Sequence, residues 1–176
     1  MSSYLKRSIS VEEKQDIDKG VRDTVERILD DVRRRGDVAV RELSAQFDKW
    51  TPENFRLSPK EIEQVIGTLP AQVIEDIKFA QAQVRRFAEA QRGALLDVEI
   101  ETIPGVTLGH KNIPINNVGC YIPGGRYPMV ASAHMSIVTA RVAGVKRIVA
   151  CTPPQQGKLP AATIAAMALA GADEIY

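Results

Sequence analysis

The chain has 176 residues, of which 44% are hydrophobic and 26% charged, and its formal net charge is +1. This composition is typical of a globular protein of one or two domains, and the balanced charge excludes a global field that attracts nucleic acid or an anionic membrane. No apolar run reaches the roughly 20 residues that span a bilayer, and the start of the chain lacks the apolar core of a signal peptide. The sequence therefore predicts a cytoplasmic protein without nucleic-acid or membrane partners.

The first half of the chain carries the apolar periodicity of helices. Apolar residues recur at helical spacing before Gly36, a residue suited to a left-handed helix cap. Ser58 and Glu61, with a proline between them, have the form of a capping box, and Pro70 predicts the start of a further helix. Residues 1–93 are therefore predicted to form a helical N-terminal region. The stripe predicted to be buried on its last helix is Val73, Ile77, Ala80, Val84 and Phe87.

After residue 93 the pattern changes from helical to β-rich. Residues 98–101 alternate as in a half-buried strand, Pro104-Gly105 predicts a turn, and residues 106–108 resume the alternation. This pattern predicts a hairpin. The following run, residues 118–122, is continuously apolar, as in strands that are covered on both faces in parallel sheets.

Strands then alternate with helices to the end of the sequence. The patterns predict a helix over 129–143, a strand over 147–151, an alanine-rich helix over 159–170 and a third strand beginning at 173. This rhythm predicts right-handed βαβ units. The predicted fold class is thus α/β, an N-terminal helical segment followed by a β-hairpin and an incomplete Rossmann-like parallel sheet, the last two forming residues 94–176. Because so short a sheet leaves its edges uncovered, we expect the chain to be a fragment.

The most distinctive motif is Tyr121-Ile122-Pro123-Gly124-Gly125, where the first parallel strand ends in a Pro-Gly-Gly loop before a helix. Ligands bind at this carboxyl edge in open α/β sheets. Two glycines let backbone N–H groups approach a ligand, and the next helix N-terminus favours a negative group such as a pyrophosphate or sulfonate. A plain strand-to-helix turn is the alternative interpretation.

Metal-ligand spacing is absent from the sequence. Cys120 and Cys151 each lie in a predicted strand, where a buried thiol acts as a small hydrophobic group. With no CxxC pair and only two histidines, the chain predicts no metal cluster of its own.

The motifs of the chain resemble those of the histidinol dehydrogenases. Tyr121–Gly125, followed at the family's spacing by Cys151-Thr152-Pro153-Pro154, is similar to that family, and Asp31–Asp37 resembles part of its opening helices. The resemblance implies an NAD-dependent, zinc-requiring enzyme that oxidises a primary alcohol through an aldehyde to a carboxylate, with two hydride transfers to NAD. It also implies a homodimer when full length.

The resemblance also implies site residues. Tyr121 is expected to contact NAD, with Pro123, Gly124 and Gly125 forming the adjoining part of an NAD-binding domain. The alternative for Tyr121 is a core aromatic at a strand end. The family's zinc ligands and catalytic Glu-His pair are expected after Tyr176, so no residue is predicted to be catalytic or to bind metal, and this piece alone is expected to be inactive.

The residues after Gly125 depart from histidinol dehydrogenases. Residues 125–135 look more like the branch acting as sulfopropanediol 3-dehydrogenase, which oxidises 2,3-dihydroxypropane-1-sulfonate to sulfolactate. Arg126 offers planar, charged donors for a sulfonate, and His134 is a second candidate substrate contact. A solvated or dimer-surface arginine and a packing histidine are the alternatives. Histidinol dehydrogenase itself, and a non-catalytic nucleotide-binding or dimerisation module, are the alternative functions.

Overall fold

The structure, a computed structural model, describes residues 11–124, 127–155 and 157–176. The chain forms two compact units that divide between Thr51 and Pro52. The change of composition at residue 93 falls inside the second of these units. None of the helices in the described ranges is long and apolar enough to cross a membrane.

The first unit is helical. The N–H of Gly36 donates to the carbonyl of Val32 (2.8 Å), and the positive φ of Gly36 (57°) turns the chain at the predicted position. The predicted helix and its end are confirmed, but its apolar residues are not covered, since Val21 and Leu29 are at least half exposed. Among the described residues of this unit, Ala39 and Ser44 are the buried ones. Its elements are α1 (Val11–Arg35), α2 (Asp37–Leu43) and a π-helical segment (Ser44–Asp48).

Two helices open the second unit, α3 (Pro59–Gly67) and α4 (Ala71–Gly93). The capping box of α3 forms as predicted, because Glu61 N–H donates to Ser58 Oγ (3.3 Å) and Ser58 N–H donates to Glu61 Oε2 (2.8 Å). Pro70 precedes α4, also as predicted. The predicted stripe of α4 is wrong at Phe87, which is 67% exposed.

The predicted hairpin is confirmed. Strands β1 (Val98–Ile103) and β2 (Val106–His110) pair antiparallel, with Ile100 opposite Leu108. The expected half-burial is wrong, because every residue of both strands is exposed.

The rest of the unit is a three-stranded sheet with helical connections. Its strands are all parallel and lie in chain order. One connection is a helix interrupted by a π-helical turn, here called the π-interrupted helix. The predicted α/β fold class, with its N-terminal helices, hairpin and parallel sheet, is confirmed. The elements are β3 (Asn117–Tyr121), the π-interrupted helix (α5, Val130–Ala133; π turn, His134–Val138; α6, Thr139–Val142), β4 (Arg147–Cys151), α7 (Ala161–Ala170) and β5 (Glu174–Ile175).

The core of this unit lies on one face of the sheet. Along β3 the buried Cys120 alternates with the exposed Tyr121, so the predicted cover on both faces is wrong for the described residues. The central five residues of α7, from Thr163 to Met167, are all buried, as expected of a helix that is apolar all round. The fully buried large side chains are Ile122, Ile137, Val138, Ile148, Thr163, Ile164, Met167 and Ile175.

Candidate cofactor site at the carboxyl edge of the sheet

The carboxyl ends of the three strands lie at one edge. Tyr121 pairs with Cys151 at the ends of β3 and β4, and Ile122 N–H donates to the Cys151 carbonyl (2.8 Å), which extends the ladder by one step. Thr152 N–H donates to the Tyr176 carbonyl (3.1 Å) in the same way beside β5. The loops that follow β3 and β4 therefore leave the sheet side by side, as ligand-binding loops do in open α/β sheets.

Tyr121 is an accessible aromatic residue at this edge. Its side chain points away from the core, since Tyr121 is 64% exposed while the neighbouring Ile122 is fully buried. Of the two interpretations offered by the sequence, the core aromatic does not describe its position. Its contact with a cofactor stays a prediction.

The Pro-Gly-Gly loop is packed against the loop after β4. Pro123 is half-buried, and a Cβ placed on Gly124 would lie 2.7 Å from Cγ of Pro153. Real Cβ atoms essentially never come so close, so residue 124 must be glycine here unless Pro153 shifts. Gly125 and Arg126, the other predicted site residues of this loop, lie outside the described residues.

His134 is a buried residue of the π-interrupted helix. It is 7% exposed, and its Nδ1 lies 3.2 Å from Nε2 of Gln81 on α4, which also donates to the Ala166 carbonyl of α7 (2.8 Å). Because the carbonyl fixes the amide orientation, Nδ1 is the acceptor and the neutral ring carries its proton on Nε2. Burial lowers the pKa of His134. These contacts are those of a packing histidine, and its predicted contact with a substrate stays a hypothesis.

Two residues that organise this region were missed in the sequence. Gln81 interrupts the apolar side of α4, four residues after Ile77, and such a polar residue on a buried face signals a required hydrogen bond. Pro153 belongs to the motif Cys151-Thr152-Pro153-Pro154, but nothing in its local sequence indicates that it packs on Gly124.

The described residues hold no group of three or more His, Cys, Asp or Glu side chains that fits a metal ion. Cys120 is buried, as predicted, but the predicted burial of Cys151 is wrong, because Cys151 is exposed where β4 ends. Partial burial of its sulfur still raises the pKa of the Cys151 thiol. Both cysteines are free.

A cavity of about 600 Å³ opens elsewhere in the unit, between the residues preceding α3 and the start of β5. Arg56 there pairs with Glu174 (3.4 Å), and Glu61 is held in its capping box. The cavity contains none of the residues predicted to bind a cofactor or substrate.

The family model described as histidinol dehydrogenase matches residues 11–176. The chain belongs to the histidinol dehydrogenase family. The resemblance inferred from the Tyr121–Gly125 motif is therefore confirmed.

Relatives within the histidinol dehydrogenase family differ in name. The chain is 59% identical over 176 residues to a histidinol dehydrogenase homolog of Shouchella clausii, covering 100% of this chain and 42% of that protein. It is 44% identical over 173 residues to the sulfopropanediol 3-dehydrogenase of Ruegeria pomeroyi, covering 98% and 39%. It is 40% identical over 155 residues to the histidinol dehydrogenase of Methanosarcina barkeri, covering 87% and 35%. The chain thus spans well under half the length of these relatives.

A solved histidinol dehydrogenase shares the fold. The crystal structure from Elizabethkingia anophelis superposes with a TM-score of 0.81 at 28% sequence identity, covering 98% of this chain and 37% of that chain. The likeness extends over both compact units of the chain.

Proposed function

We propose that the chain belongs to an NAD-dependent dehydrogenase that oxidises a primary alcohol through an aldehyde to a carboxylate, and that the carboxyl edge of its sheet binds NAD. The observation that carries the proposal is the exposed Tyr121 beside a loop whose Gly124 has no room for a side chain, in a member of the histidinol dehydrogenase family. When bound, NAD is the group that accepts the hydride. The residues of this chain bind and orient it.

The described residues fit an extended, partly aromatic ligand. The ring of Tyr121 offers an apolar face and a phenolic hydroxyl, and its exposure leaves both available for contact. Gly124 is exposed, so its peptide groups are accessible to a ligand, although the place of a side chain is filled by Pro153. Rossmann-like sheets bind nucleotides at this edge, and the edge here is formed by two adjacent strand ends in register.

Zinc is proposed for the full-length enzyme on family grounds alone. The described part of the chain offers no fitting ligand set, so none of its residues is assigned to zinc and no catalytic step is derived through the metal. A homodimer and a cytoplasmic location are likewise proposed for the full-length protein.

The proposed substrate is 2,3-dihydroxypropane-1-sulfonate, which the enzyme would oxidise to sulfolactate. Two features support it: Arg126, which carries a permanent positive charge, follows the Tyr121–Gly125 motif directly in the sequence, and similarity to the sulfopropanediol 3-dehydrogenase extends over 98% of the chain. Histidinol is the second candidate, supported by the 40% identity with the Methanosarcina barkeri histidinol dehydrogenase.

The deciding experiment offers both alcohols to the protein at the full length that its gene encodes, with NAD and zinc, and follows NADH. Faster turnover of the sulfonate supports the first proposal, and faster turnover of histidinol replaces it with the second. Absence of NADH with both alcohols would point to the non-catalytic module, a nucleotide-binding module if NAD still binds and a dimerisation module if it does not. If the sulfonate is the substrate, Arg126→Ala should reduce kcat/KM for the sulfonate far more than for histidinol. Equal losses of kcat/KM for the two alcohols would exclude a charge contact between Arg126 and the sulfonate.

The assignment of Tyr121 needs a separate variant. Tyr121→Ala should raise KM for NAD about tenfold, since stacking and burial of one aromatic ring contribute roughly 1 to 2 kcal/mol. Zinc content should be unchanged. Phe79→Ala is the control, because Phe79 is a similarly exposed aromatic residue (69%) on α4. Unchanged KM in Tyr121→Ala, or an equal rise in both variants, would remove Tyr121 from the site.

A further inference from the structure

The loop after β4 touches the Pro-Gly-Gly loop at one tight contact, between Pro153 and Gly124. An ideal Cβ on Gly124 would lie 2.7 Å from Cγ and 3.4 Å from Cδ of Pro153, and 3.7 Å from the Pro153 carbonyl oxygen. All three nearest atoms thus belong to one residue. The backbone of Gly124 rests directly on the proline ring.

Space, and not backbone conformation, requires glycine at this position. The φ angle of Gly124 lies outside the left-handed range, whereas five other described glycines, including Gly144 and Gly171, have positive φ. An alanine can therefore adopt the backbone conformation of residue 124 without strain. The obstacle to its Cβ is the ring of Pro153.

Pro153 is well placed to act as a rigid support. The ring fixes its own φ, so it cannot rotate away as a flexible side chain would. The residue before it, Thr152, is tied to the chain after β5 by its N–H bond to the Tyr176 carbonyl (3.1 Å). On the other side, Ile122 is tied to β4 through the Cys151 carbonyl (2.8 Å). Both partners of the contact are thereby anchored to the sheet within two residues.

We propose that Pro153 is a positioning residue for the NAD site: its ring sets the position of the backbone at Gly124, and hence of the described chain at residues 122–124 beside Tyr121. This role rests on the proposed function, because it supposes that the loop binds NAD. It assigns to the Thr152-Pro153-Pro154 segment a part in cofactor affinity that acts through Gly124 and needs no contact between Pro153 and NAD.

A double-mutant cycle on the full-length protein tests the role. The variants are Gly124→Ala, Pro153→Ala and the double variant, with the dissociation constant for NAD and the denaturant midpoint measured for each. Gly124→Ala should weaken NAD binding about tenfold or more, because small misplacements of binding groups are costly. Pro153→Ala removes Cγ and Cδ, so the nearest remaining atom to the added Cβ is the carbonyl oxygen of residue 153 at 3.7 Å, an ordinary van der Waals distance. Pro153→Ala should itself weaken NAD binding, because the loop loses its support, but less than Gly124→Ala, in which the added Cβ displaces the loop; unchanged binding in Pro153→Ala would overturn the proposal. The double variant should bind NAD about as well as Pro153→Ala and more tightly than Gly124→Ala.

The control for a general glycine effect is Gly67→Ala. A Cβ at Gly67 meets nothing within 4 Å and its φ is also outside the left-handed range, so NAD affinity should not change. The proposal is overturned if Gly124→Ala binds NAD like the unmodified protein, or if the double variant is as weak as Gly124→Ala. The second result would mean that the ligand itself requires glycine.

The cycle separates this proposal from the proposed function. If the unmodified protein fails to bind NAD, the function is wrong and the positioning role falls with it. The denaturant midpoints still report whether the two residues are coupled, since neighbours in contact give non-additive stabilities. If NAD binds and the effects of the two substitutions on NAD affinity are additive, the proposed function stands and only the positioning role of Pro153 is excluded.

Discussion

The second unit contains two sheets that are equally regular in their backbone pairing and opposite in their burial. In the hairpin, Ile100 and Leu108 face each other across the ladder and are 57% and 56% exposed. In the parallel sheet, Ile148 and Ile175 are 0% and 1% exposed. Apolar strands thus form in both sheets, but only the parallel sheet packs against a hydrophobic core. Strand formation and strand burial are separate properties of this chain.

The connections between the strands explain the difference. A parallel pair needs a long crossover, and here the crossovers are the π-interrupted helix and α7, whose Ile137 and Ile164 are fully buried in the same cluster as Ile148. The hairpin is joined by the tight turn at Pro104-Gly105, which brings no covering element with it. A parallel sheet therefore carries its own cover, whereas a hairpin depends on other parts of the protein.

The largest expected effect comes from truncating one isoleucine in each sheet. Ile148→Ala should lower the free energy of unfolding by about 3 to 4 kcal/mol, because it deletes fully buried atoms and leaves a cavity. Ile100→Ala should cost less than about 1 kcal/mol, the range of exposed strand positions. Denaturant unfolding of the 176-residue chain measures both.

The same pair in the full-length protein sharpens the comparison. If Ile100→Ala there costs as much as Ile148→Ala, the apolar side of the hairpin is covered in the complete protein. Equal small costs in the 176-residue chain would contradict the burial of Ile148 and break the comparison outright.

The sequence predicted pairing better than burial for a physical reason. Alternation over residues 98–101 reports the two-residue period of a strand, and Pro104-Gly105 reports the turn, so the hairpin was predictable from local patterns. Burial depends on what packs on a face, which no local pattern contains. The same limit explains Phe87, which continues the apolar period of α4 but is exposed, whereas the next residue, Ala88, is buried.

The second prediction is that a glycine-to-alanine substitution destabilises the exposed hairpin more than the buried parallel sheet. A Cβ on Gly109 of β2 would lie 2.1 Å from the backbone oxygen of Val98, whereas one on Gly119 of β3 would meet nothing within 4 Å. Gly109→Ala must therefore displace the paired strand, at about 2 kcal/mol, within the range for overpacking. Gly119→Ala should stay within about 0.5 kcal/mol.

Hydrogen exchange locates this effect. In Gly109→Ala the amides of β1 and β2 should lose roughly 30-fold in protection, which corresponds to about 2 kcal/mol, while those of β4 keep theirs. Loss of protection in β4 as well would show that the hairpin and the parallel sheet unfold together.

As with the fold, local patterns in the sequence predicted where the candidate site lies but not which distant residues pack together there. The motif Tyr121–Gly125 located it at a strand end, because a strand followed by glycines and a helix is itself a local pattern. The contact of Gly124 with Pro153 and the bond of Gln81 to His134 join residues 29 and 53 positions apart. Such pairs follow from the crossover geometry of the fold, which a single sequence does not specify residue by residue.

The smallest expected effect uses the two histidines, one in each region. His134 is buried beside Gln81, and burial lowers its pKa in the folded state. The unfolded chain therefore binds a proton at His134 more readily, so this residue makes stability fall as the pH drops below about 6.5, the ordinary histidine pKa. The loss is complete once the pH is below the lowered, folded-state pKa. His110 lies on the exposed hairpin, where its Nε2 is 3.1 Å from the Leu96 carbonyl.

His134→Gln removes this dependence and His110→Gln does not. Because carboxylates with lowered pKa values, such as Asp173, also weaken the fold in acid, the useful quantity is the difference in unfolding free energy from the unmodified chain, measured by denaturant between pH 8 and pH 5. For His134→Gln this difference should shrink steadily as the pH falls, since the unmodified chain alone loses the contribution. His110→Gln keeps His134 and should therefore keep this part of the acid dependence. Parallel curves for His134→Gln would mean that its ring is solvated in both states, and the histidines would then no longer distinguish the buried sheet from the exposed hairpin.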